Sequence, residues 1–440
     1  MKLLKLLLAT ALLCSTNTLR AQKYVGGDIS LLSKYEENGA KYMDKDGKGI
    51  TDVLAFLKQQ GLNTMRVRLF VDPSKATQTE KGQGVCQDLE YVKKLGKKIK
   101  DAGLSFMLDF HYSDTWADPG KQWTPDSWTE LSDEQLYTKI YDYTKESLQA
   151  LKDAGAEPDF IQTGNEISYG MVWGKAVILK DTYDKSTGKG ETVYNDNVSS
   201  HKKCYSNSPA ANWTRFYNLL KQAGKACKEI CPNAKVILHT ERVAATSYLI
   251  DYYKKMIDNN VEFDIIGTSY YPYYHGKMSQ LNTALTQLET NFPNKKIMVV
   301  ETGCAYHYSV GDNDKQYYDL TYEGQRKFTE ELVTTLKTHQ NVNGLFWWFL
   351  EANEYGLDWA TKRVTDGWYN ASLFDNETGR ALPALYELKN FSDGTSGFQG
   401  IKAEKETTDN YWYSIDGRRL EKEPSKSGIY INNGKKKIVR

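Results

Sequence analysis

The chain has 440 residues, with 57 Lys and Arg against 56 Asp and Glu, so its formal net charge is +1. A chain this close to neutral has no field of one sign that would attract nucleic acid, an anionic membrane or a polyanionic substrate. Its length exceeds that of most single domains, but α/β barrels often run beyond about 250 residues as one unit. We therefore expect one large domain with a small appendage.

The N-terminal residues predict an export signal. Lys2 and Lys5 precede the apolar run Leu6–Leu13, and Ala21 offers a small residue before a cleavage point. The run is too short to span a bilayer as a permanent helix. We expect residues 1–21 to be a signal peptide, so that the mature protein is secreted, surface-bound or periplasmic.

The cysteines predict neither a disulfide scaffold nor a metal site. Cys227 and Cys231 lie one helical turn apart, which is a poor geometry for a mutual disulfide. No Cys-x-x-Cys or paired-His motif accompanies them. The number of cysteines after the predicted signal is odd, so at least one thiol is unpaired. They are Cys86, Cys204, Cys227, Cys231 and Cys304.

Residues 22–391 alternate short apolar runs with longer amphipathic stretches. The predicted strands are Val25–Ser30, Thr64–Phe70, Ser105–Tyr112, Phe160–Asn165, Lys235–Thr240, Asp264–Tyr270, Ile297–Glu301 and Gly344–Leu350. The predicted helices are Ile50–Gln60, Leu89–Ala102, Glu134–Ala154, Thr214–Ile230, Ser247–Asn259, Gly324–Thr338 and a last one near Leu382–Asn390. Eight strands alternating with helices favour a closed parallel (β/α)8 barrel over an open sheet.

Three segments fall outside this alternation. Residues 172–208 are polar and lack a clear period, which predicts a long loop after the fourth strand, on the face where barrels carry their active sites. Residues 392–410 have the polar composition of a linker. Residues 411–440 contain short strand-like runs and resemble the C-terminal sorting or anchoring tails of some secreted enzymes.

Two glutamates end predicted strands and are the first candidates for catalysis. Glu166 follows the fourth strand and Glu301 ends the seventh. Barrel enzymes place their chemistry at the C-terminal ends of strands. A retaining glycosidase needs two such carboxyls about 5–5.5 Å apart, one protonated and one ionised. The pair predicts this chemistry more strongly than either Glu would alone.

Other strand ends also carry polar or aromatic groups, which packing alone does not explain. Arg66 and Arg68 share a face of the second strand, where each is either a cation that keeps a nucleophilic carboxylate ionised or part of a structural salt bridge. Trp116, Trp123 and Trp173 either stack on sugars or pack loops onto the barrel. The predicted substrate-binding residues are Arg66, Asp109, His111, Trp116, Asn165, His239, Tyr271 and Trp348.

Several motifs, in order along residues 24–391, resemble one known family. They are Gly27-Asp28-Ile29-Ser30, the stretch from Gly61 to Arg68, the stretch from Leu108 to Gln122, Thr163-Gly164-Asn165-Glu166, the stretch from Ser269 to Gly276, and Val300-Glu301-Thr302. The Asp-Phe-His-Tyr-Ser-Asp-Thr-Trp-Ala-Asp-Pro run at 109–119 is the most specific of them. The chain resembles glycoside hydrolase family 53, the arabinogalactan endo-β-1,4-galactanases.

The resemblance implies a role for individual residues. Glu166 matches the acid/base and Glu301 the nucleophile. Asn165 matches the residue that hydrogen-bonds the sugar 2-hydroxyl, and Arg66 the arginine that supports the nucleophile. Trp348 matches the tryptophan under the scissile sugar. The implied reaction is endo-acting double displacement on β-1,4-linked galactan or arabinogalactan.

The resemblance also leaves questions open. Some family members carry a calcium loop after the seventh strand, whereas Tyr306–Leu320 has only Asp312, Asp314 and Asp319. We expect no required cofactor, with a structural calcium ion left open, no nucleic-acid partner, and a monomer. The rival functions are another retaining β-glycanase of the same clan, such as a xylanase or mannanase, and a non-catalytic glycan-binding barrel. A metal-dependent barrel hydrolase would want His-x-His on the first strand, where Asp28 and Ser30 stand.

Overall fold

The computed structural model describes residues 22–184, 187, 189–307, 317–365 and 369–392, and near the C-terminus residues 412–414, 419–420, 422, 424, 428–432 and 435–439. The predicted signal peptide and residues 393–410 of the predicted linker lie outside the described residues. The chain separates into two compact units, with the division between residues 394 and 395.

Eight parallel strands form a closed barrel in which each strand pairs with the next in the chain and the last pairs with the first. This confirms the predicted (β/α)8 fold. The strands are β1 Tyr24–Asp28, β2 Thr64–Leu69, β3 Ser105–Phe110, β4 Phe160–Thr163, β5 Lys235–Thr240, β6 Ile265–Tyr270, β7 Lys296–Thr302 and β8 Val342–Trp347.

Helices follow the strands, and the longer ones bury an apolar face. Local sequence fixes where several of them begin. Ser132 and Gln135, for example, form a capping box at the start of Asp133–Asp153. The helices are Leu32–Asn38, Val53–Gln59, Gln78–Gly82, Leu89–Asp101, Asp133–Asp153, Ala210–Ile230, Thr246–Asp258, Pro272–His275, Met278–Asn291, Tyr322–Lys337, Trp359–Lys362 and Pro383–Leu388.

The barrel interior changes from apolar to polar along its axis. Inside the barrel, seven buried side chains form a separate apolar cluster: Met107, Phe160, Ile237, Ile265, Met298, Val300 and Phe346. Alternate residues of a strand share a face, so the next inward positions on β3, β4 and β5 are Asp109, Gln162 and His239. A dry apolar layer therefore supports a buried polar layer directly beneath the active-site face.

The segment after β4 differs from the expectation of an irregular loop. It contains two antiparallel strands, Ile178–Asp184 and Lys189–Tyr194, which we call the β4 hairpin. Most of the hairpin's side chains are exposed or half-buried and polar. It therefore has no apolar face that periodicity would detect.

The C-terminal unit contains an antiparallel sheet of the strands Trp412–Ser414, Arg419–Leu420, Gly428–Asn432 and Lys435–Val439. Across the described part of the chain, no helix is both long and apolar enough to cross a bilayer. The five described cysteines are all free thiols, of which Cys86 is half-buried and the others are buried.

Candidate active site

Arg66 is the centre of the polar layer. Its side chain is completely buried, and its Nη1 donates to Asp28 Oδ2 at 2.9 Å. Its Nη2 donates to Asp109 Oδ2, Asn165 Oδ1 and Glu301 Oε1 at 2.8, 2.9 and 2.8 Å. These partners come from β1, β3, the end of β4 and β7. A buried guanidinium is stable only when hydrogen-bonded acceptors compensate its charge. Arg66 therefore links four parts of the barrel through one positive charge.

Arg68 lies one layer nearer the barrel mouth and contacts aromatic rings. Its Nη1 donates to Asp28 Oδ1 at 2.8 Å, so one carboxylate serves both arginines. Its guanidinium carbon lies 4.6 Å from the ring centre of Trp116 and 5.0 Å from that of Trp348. Cation–π contacts of this kind fix both the cation and the rings. The two tryptophans are therefore held in place from below.

Glu301 stands at the C-terminal end of β7, next to a register shift between β6 and β7 that turns it toward the barrel axis. It is 4 % exposed and accepts hydrogen bonds from Arg66 Nη2 and from Tyr271 Oη, the latter at 3.1 Å. Burial raises its pKa to about 7, while Arg66 and the Tyr271 hydroxyl act in the opposite direction. Glu301 is thus a buried carboxylate with two donors directed at its charge.

Glu166 follows β4 in a left-handed backbone conformation, with φ 47°. A non-glycine residue rarely takes this conformation unless its surroundings enforce it, and such residues cluster at functional sites. The residue is half-buried, and its carboxyl accepts one hydrogen bond, from Ser269 Oγ at 2.6 Å. Burial, followed by the charges of Glu301 and Glu241, raises its pKa well above the ordinary value.

The two carboxyls therefore differ in how well their negative charge is stabilised. Glu301 has a cation and a phenol hydroxyl to stabilise its charge, and Glu166 has a single hydroxyl. When two coupled carboxyls share one proton, it stays on the group whose charge is less well stabilised. Glu166 is accordingly the protonated member of the pair and Glu301 the ionised one.

A relay of neutral groups positions Glu166. Gln162 Nε2 and the Glu166 backbone N–H both donate to Nδ1 of His239, at 2.9 and 3.3 Å. Asn165 Oδ1, an acceptor, also lies 3.0 Å from this nitrogen. Two donors against one acceptor assign the ring proton to Nε2, which lies 2.8 Å from Ser269 Oγ. Burial and the charge of Arg66 lower the pKa of His239 well below its ordinary value, which keeps the ring neutral. The Ser269 hydroxyl is then free to donate to Glu166.

Asp109 and His111 form a second support beneath the site. Asp109 accepts from Arg66 and from Gln162 Nε2, the latter at 2.7 Å. Burial alone would raise the pKa of Asp109, but the charges of Arg66 and His111 outweigh it and lower the pKa. His111 Nδ1 accepts from the backbone N–H of Ala117 at 3.0 Å, and its Nε2 lies 3.1 Å from Asp109 Oδ2. The histidine thereby holds the loop that carries Trp116.

An open cavity of about 940 Å³ lies above this layer. Six of the predicted site residues line it: Trp116, Asn165, Glu166, Tyr271, Glu301 and Trp348. The other four, Arg66, Asp109, His111 and His239, are at most 1 % exposed and lie beneath its floor. This differs from the expectation of direct sugar contact, because these four hold the lining residues in position instead.

Two of the three tryptophans that were left open between stacking on sugars and packing loops do not reach the cavity. Trp123 and Trp173 are 2 % and 0 % exposed and pack against each other, with ring centres 5.7 Å apart. Trp173 Nε1 also donates to Tyr169 O at 2.8 Å. Loop packing is therefore the correct alternative for this pair and stacking the wrong one, because the two rings pack the segment after β4 onto the loop after β3. Trp116 does line the cavity.

Sequence reasoning also missed three residues that line or support the cavity. Glu241 follows β5 and lines the cavity beside Glu166, with Oε1 accepting from Ser168 Oγ at 2.7 Å and 2.9 Å from Arg242 Nε. Burial raises its pKa to about 7. The strand-end rule that selected Glu166 would have found it. Ser269 and Gln162 had no such signal, because only the register of neighbouring strands brings them to the pair.

The loop after β7 was the place where a calcium ion was left open. Asp312 and Asp314, like the rest of residues 308–316, lie outside the described residues. Among the residues that are described, no group of three or more His, Cys, Asp or Glu side chains is placed to hold a metal ion.

The fold and the site together define a class of protein. A parallel barrel that presents two carboxyls of unlike environment at the ends of β4 and β7, in an open cavity with aromatic walls, has the arrangement of a glycoside hydrolase. The model of glycosyl hydrolase family 53 matches residues 24–388, and the chain belongs to that family.

Named relatives and a solved structure agree with this assignment. The endo-β-1,4-galactanase of Bacillus subtilis strain 168 is 28 % identical over 82 % of this chain and 84 % of its own. The arabinogalactan endo-β-1,4-galactanase of Cellvibrio japonicus is 29 % identical over 88 % and 96 %. The GH53 catalytic domain of Ignisphaera aggregans superimposes with a TM-score of 0.69 and 31 % identity, covering 84 % of this chain and 96 % of that one.

Proposed function

We propose that the protein is an endo-β-1,4-galactanase that cleaves galactan or arabinogalactan by double displacement, with Glu301 as nucleophile and Glu166 as acid/base. The observation that carries this is the unequal support of the two carboxyls in one cavity. Arg66 and Tyr271 stabilise charge on Glu301, whereas Glu166 has a single hydroxyl donor. The galactan substrate is inferred from the relatives' activities.

In the first step, a Glu301 carboxylate oxygen attacks the anomeric carbon of the bound sugar. The bond from that carbon to the glycosidic oxygen breaks, and Glu166 gives its proton to the departing oxygen. The product is a covalent glycosyl ester on Glu301 and a shortened chain with a new hydroxyl. Arg66 keeps Glu301 ionised until the attack, because its Nη2 lies 2.8 Å from Glu301 Oε1.

In the second step, Glu166 is a carboxylate and takes a proton from water. The water oxygen attacks the anomeric carbon, the ester bond to Glu301 breaks, and both carboxyls return to their starting states. The charge on Glu301 falls in the first step, so the pKa of Glu166 falls with it, because that charge is one of the causes that raise it. Glu166 therefore acts as an acid in the first step and as a base in the second.

The floor of the cavity fits a sugar held above the pair. Trp348 and Trp116 offer aromatic faces next to the carboxyls, and C–H faces of sugars stack on such rings. Asn165 Nδ2 donates one proton to Ala117 O at 2.8 Å and has a second for a sugar hydroxyl. We assign Asn165 to the 2-hydroxyl of the scissile sugar, as the family resemblance implies.

A xylanase or mannanase of the same clan would use the same two carboxyls, so the substrate decides between these functions. Initial rates on galactan, xylan, mannan and cellulose, with identification of the anomer first released, test the proposal. We expect galactan to be the preferred substrate and the β-anomer to appear first. Preference for another glycan would refute the substrate, and the α-anomer would refute double displacement.

Glu301→Ala tests the nucleophile. The variant should lose nearly all turnover, and added azide should restore part of it with a product of inverted anomeric configuration. The exposed surface carboxylate Glu229, replaced by Ala, is the matched control and should keep full activity. Full activity of Glu301→Ala would refute the assignment, and so would equal losses in both variants.

We further propose that residues 1–21 direct export, that the mature protein acts outside the cytoplasm as a monomer, and that catalysis needs no cofactor. The basic and apolar N-terminal residues support export. A chemical step divided between two carboxyls and water supports the last point, because it needs no metal or organic group.

A further inference from the structure

The β4 hairpin is docked on the loops of other strands. Tyr194 Oη donates to Glu80 Oε1 at 2.6 Å, and Thr79 Oγ1 donates to Thr182 O at 3.1 Å, which joins the hairpin to the helix Gln78–Gly82 after β2. Arg363, in the segment after β8, donates from Nη1 to Thr187 O at 2.8 Å. One insertion after β4 is thus held by the loops of β2 and β8.

The contact between the hairpin and the helix Gln78–Gly82 is close. A Cβ at Gly190 would lie 2.3 Å from Thr79 Oγ1, and a Cβ at Gly82 would lie 2.9 Å from Tyr183 Cε2. A side chain at Gly190 would also clash with the backbone oxygen of Thr182, at 2.8 Å, and one at Gly82 would require the Tyr183 ring to move. The hairpin therefore has a fixed position on the barrel rim and can serve as part of a binding surface.

The hairpin forms one end of the active-site cavity. Lys189 and Gly190 line it, next to Gln83 after β2 and Thr365 after β8. The loop after β5 lines it too, through residues such as Arg242 and Ala245. In the closed barrel β2 and β8 flank β1, and β5 lies across from β1. The hairpin and the β5 loop therefore mark opposite ends of the cavity.

The proposed function gives this cavity a direction, and the role inferred for the hairpin rests on that function. Glu166 protonates the leaving chain, and it lies on the side of β5, beside Glu241. Glu301 and Trp348 hold the sugar that is attacked, on the side of β7 and β8. Sugars that continue from it toward the non-reducing end of the polysaccharide must then extend toward the hairpin.

We propose that the β4 hairpin, with Gln83 and Thr365, builds a distal subsite for the non-reducing side of the bound chain. Its ligand is a neutral, uncharged sugar unit of the same β-linked chain, at least one unit beyond the attacked sugar. The Lys189 ammonium and the Gln83 amide are donors for its hydroxyl oxygens. Gly190 lines the cavity through its backbone alone.

The test compares three variants on substrates of two lengths. The variants are Lys189→Ala, a replacement of residues 180–192 by two glycines, and the control Lys180→Ala. Lys180 lies on the same hairpin, is exposed and pairs with Glu191. It is not among the residues that line the cavity. The substrates are galactan oligosaccharides with a label on the reducing end, and an aryl β-galactoside too short to reach the hairpin.

We expect the first two variants to raise KM for the long oligosaccharides by about fivefold or more, with kcat nearly unchanged. Their unlabelled products, which come from the non-reducing side, should become shorter on average. Their kcat/KM for the aryl galactoside should match the wild type, and Lys180→Ala should match it on both substrates. Thermal unfolding shows whether the deletion folds, and Lys189→Ala decides the matter if it does not.

Unchanged KM and product lengths in Lys189→Ala and in the folded deletion variant would overturn the subsite. Equal losses on long and short substrates would overturn it as well, because the effect would then lie at the catalytic pair. Failure of the proposed function has a different signature. In that case the wild-type protein itself releases no oligosaccharide from galactan.

Discussion

Replacing Tyr271 by Phe removes one of the two donors to Glu301 and leaves the ring in place. The Tyr271 hydroxyl lies 3.1 Å from Glu301 Oε2 and lowers the pKa of that carboxyl. A hydrogen bond to a charged partner contributes about 1.5–3 kcal/mol. Arg66 remains bound to the other oxygen, so we take the lower end of that range. This corresponds to a rise of roughly one unit in the pKa of Glu301. On the acidic limb of the pH profile, that rise lowers the ionised fraction of Glu301, and with it kcat/KM, about tenfold.

The assay is the pH dependence of kcat/KM on galactan. The acidic limb of that profile reports ionisation of the nucleophile, so a raised pKa of Glu301 moves the limb to higher pH. The control is Tyr253→Phe, which removes a buried hydroxyl that donates to Leu238 O and Gly267 O in the barrel wall. This control should lower stability without moving the limb. An unmoved limb in Tyr271→Phe would show that the phenol does not support the nucleophile.

Three further predictions concern substitutions at Glu166 and at two tryptophans, and removal of the C-terminal unit. Glu166→Gln should lose most of its kcat/KM on galactan but keep far more on a substrate with a good leaving group, because such a group departs without a proton. Similar losses of kcat/KM on both substrates would argue against Glu166 as the acid/base. Trp116→Ala should raise KM because this ring lines the cavity, whereas Trp123→Ala should lower the melting temperature because this ring is buried under a loop. Kinetics and thermal unfolding of both variants test this, and the reverse pattern would contradict the assignment. Truncation after Gly394 should leave kcat/KM within about twofold of the full chain and change where the protein is found when the producing cells are fractionated. A truncated protein that folds but is inactive would show that the tail contributes to the active site.

The barrel was predictable because its parallel strands are apolar runs of similar length, each followed by an amphipathic helix. The two glutamates were predictable because they end such runs. The β4 hairpin was not, since most of its side chains are polar and none is fully buried, so no apolar face marks its strands. A hairpin stabilised by contacts with distant loops leaves little trace in its own sequence.

The tryptophans show a second limit. Trp116 and Trp123 are seven residues apart after the same strand, yet one lines the cavity and the other is buried against Trp173. The sequence does not distinguish a tryptophan that packs a loop from one that stacks on a sugar. Similarly, the left-handed backbone of Glu166 and its bond to Ser269 depend on how β4, β5 and β6 pair, which no local pattern contains.

The free thiols bear on how the protein can be produced and probed. Burial raises the pKa of Cys86 to about 11 and that of Cys304 to about 12, so at neutral pH almost none of either thiol is in the reactive thiolate form. The native protein should react slowly with alkylating reagents, and Cys86 should react first because it alone of the described cysteines is not fully buried. With all five as free thiols, folding of the barrel needs no oxidant. Reducing buffers or a reducing expression host should then yield active enzyme, and the rate of thiol labelling becomes a direct measure of local unfolding.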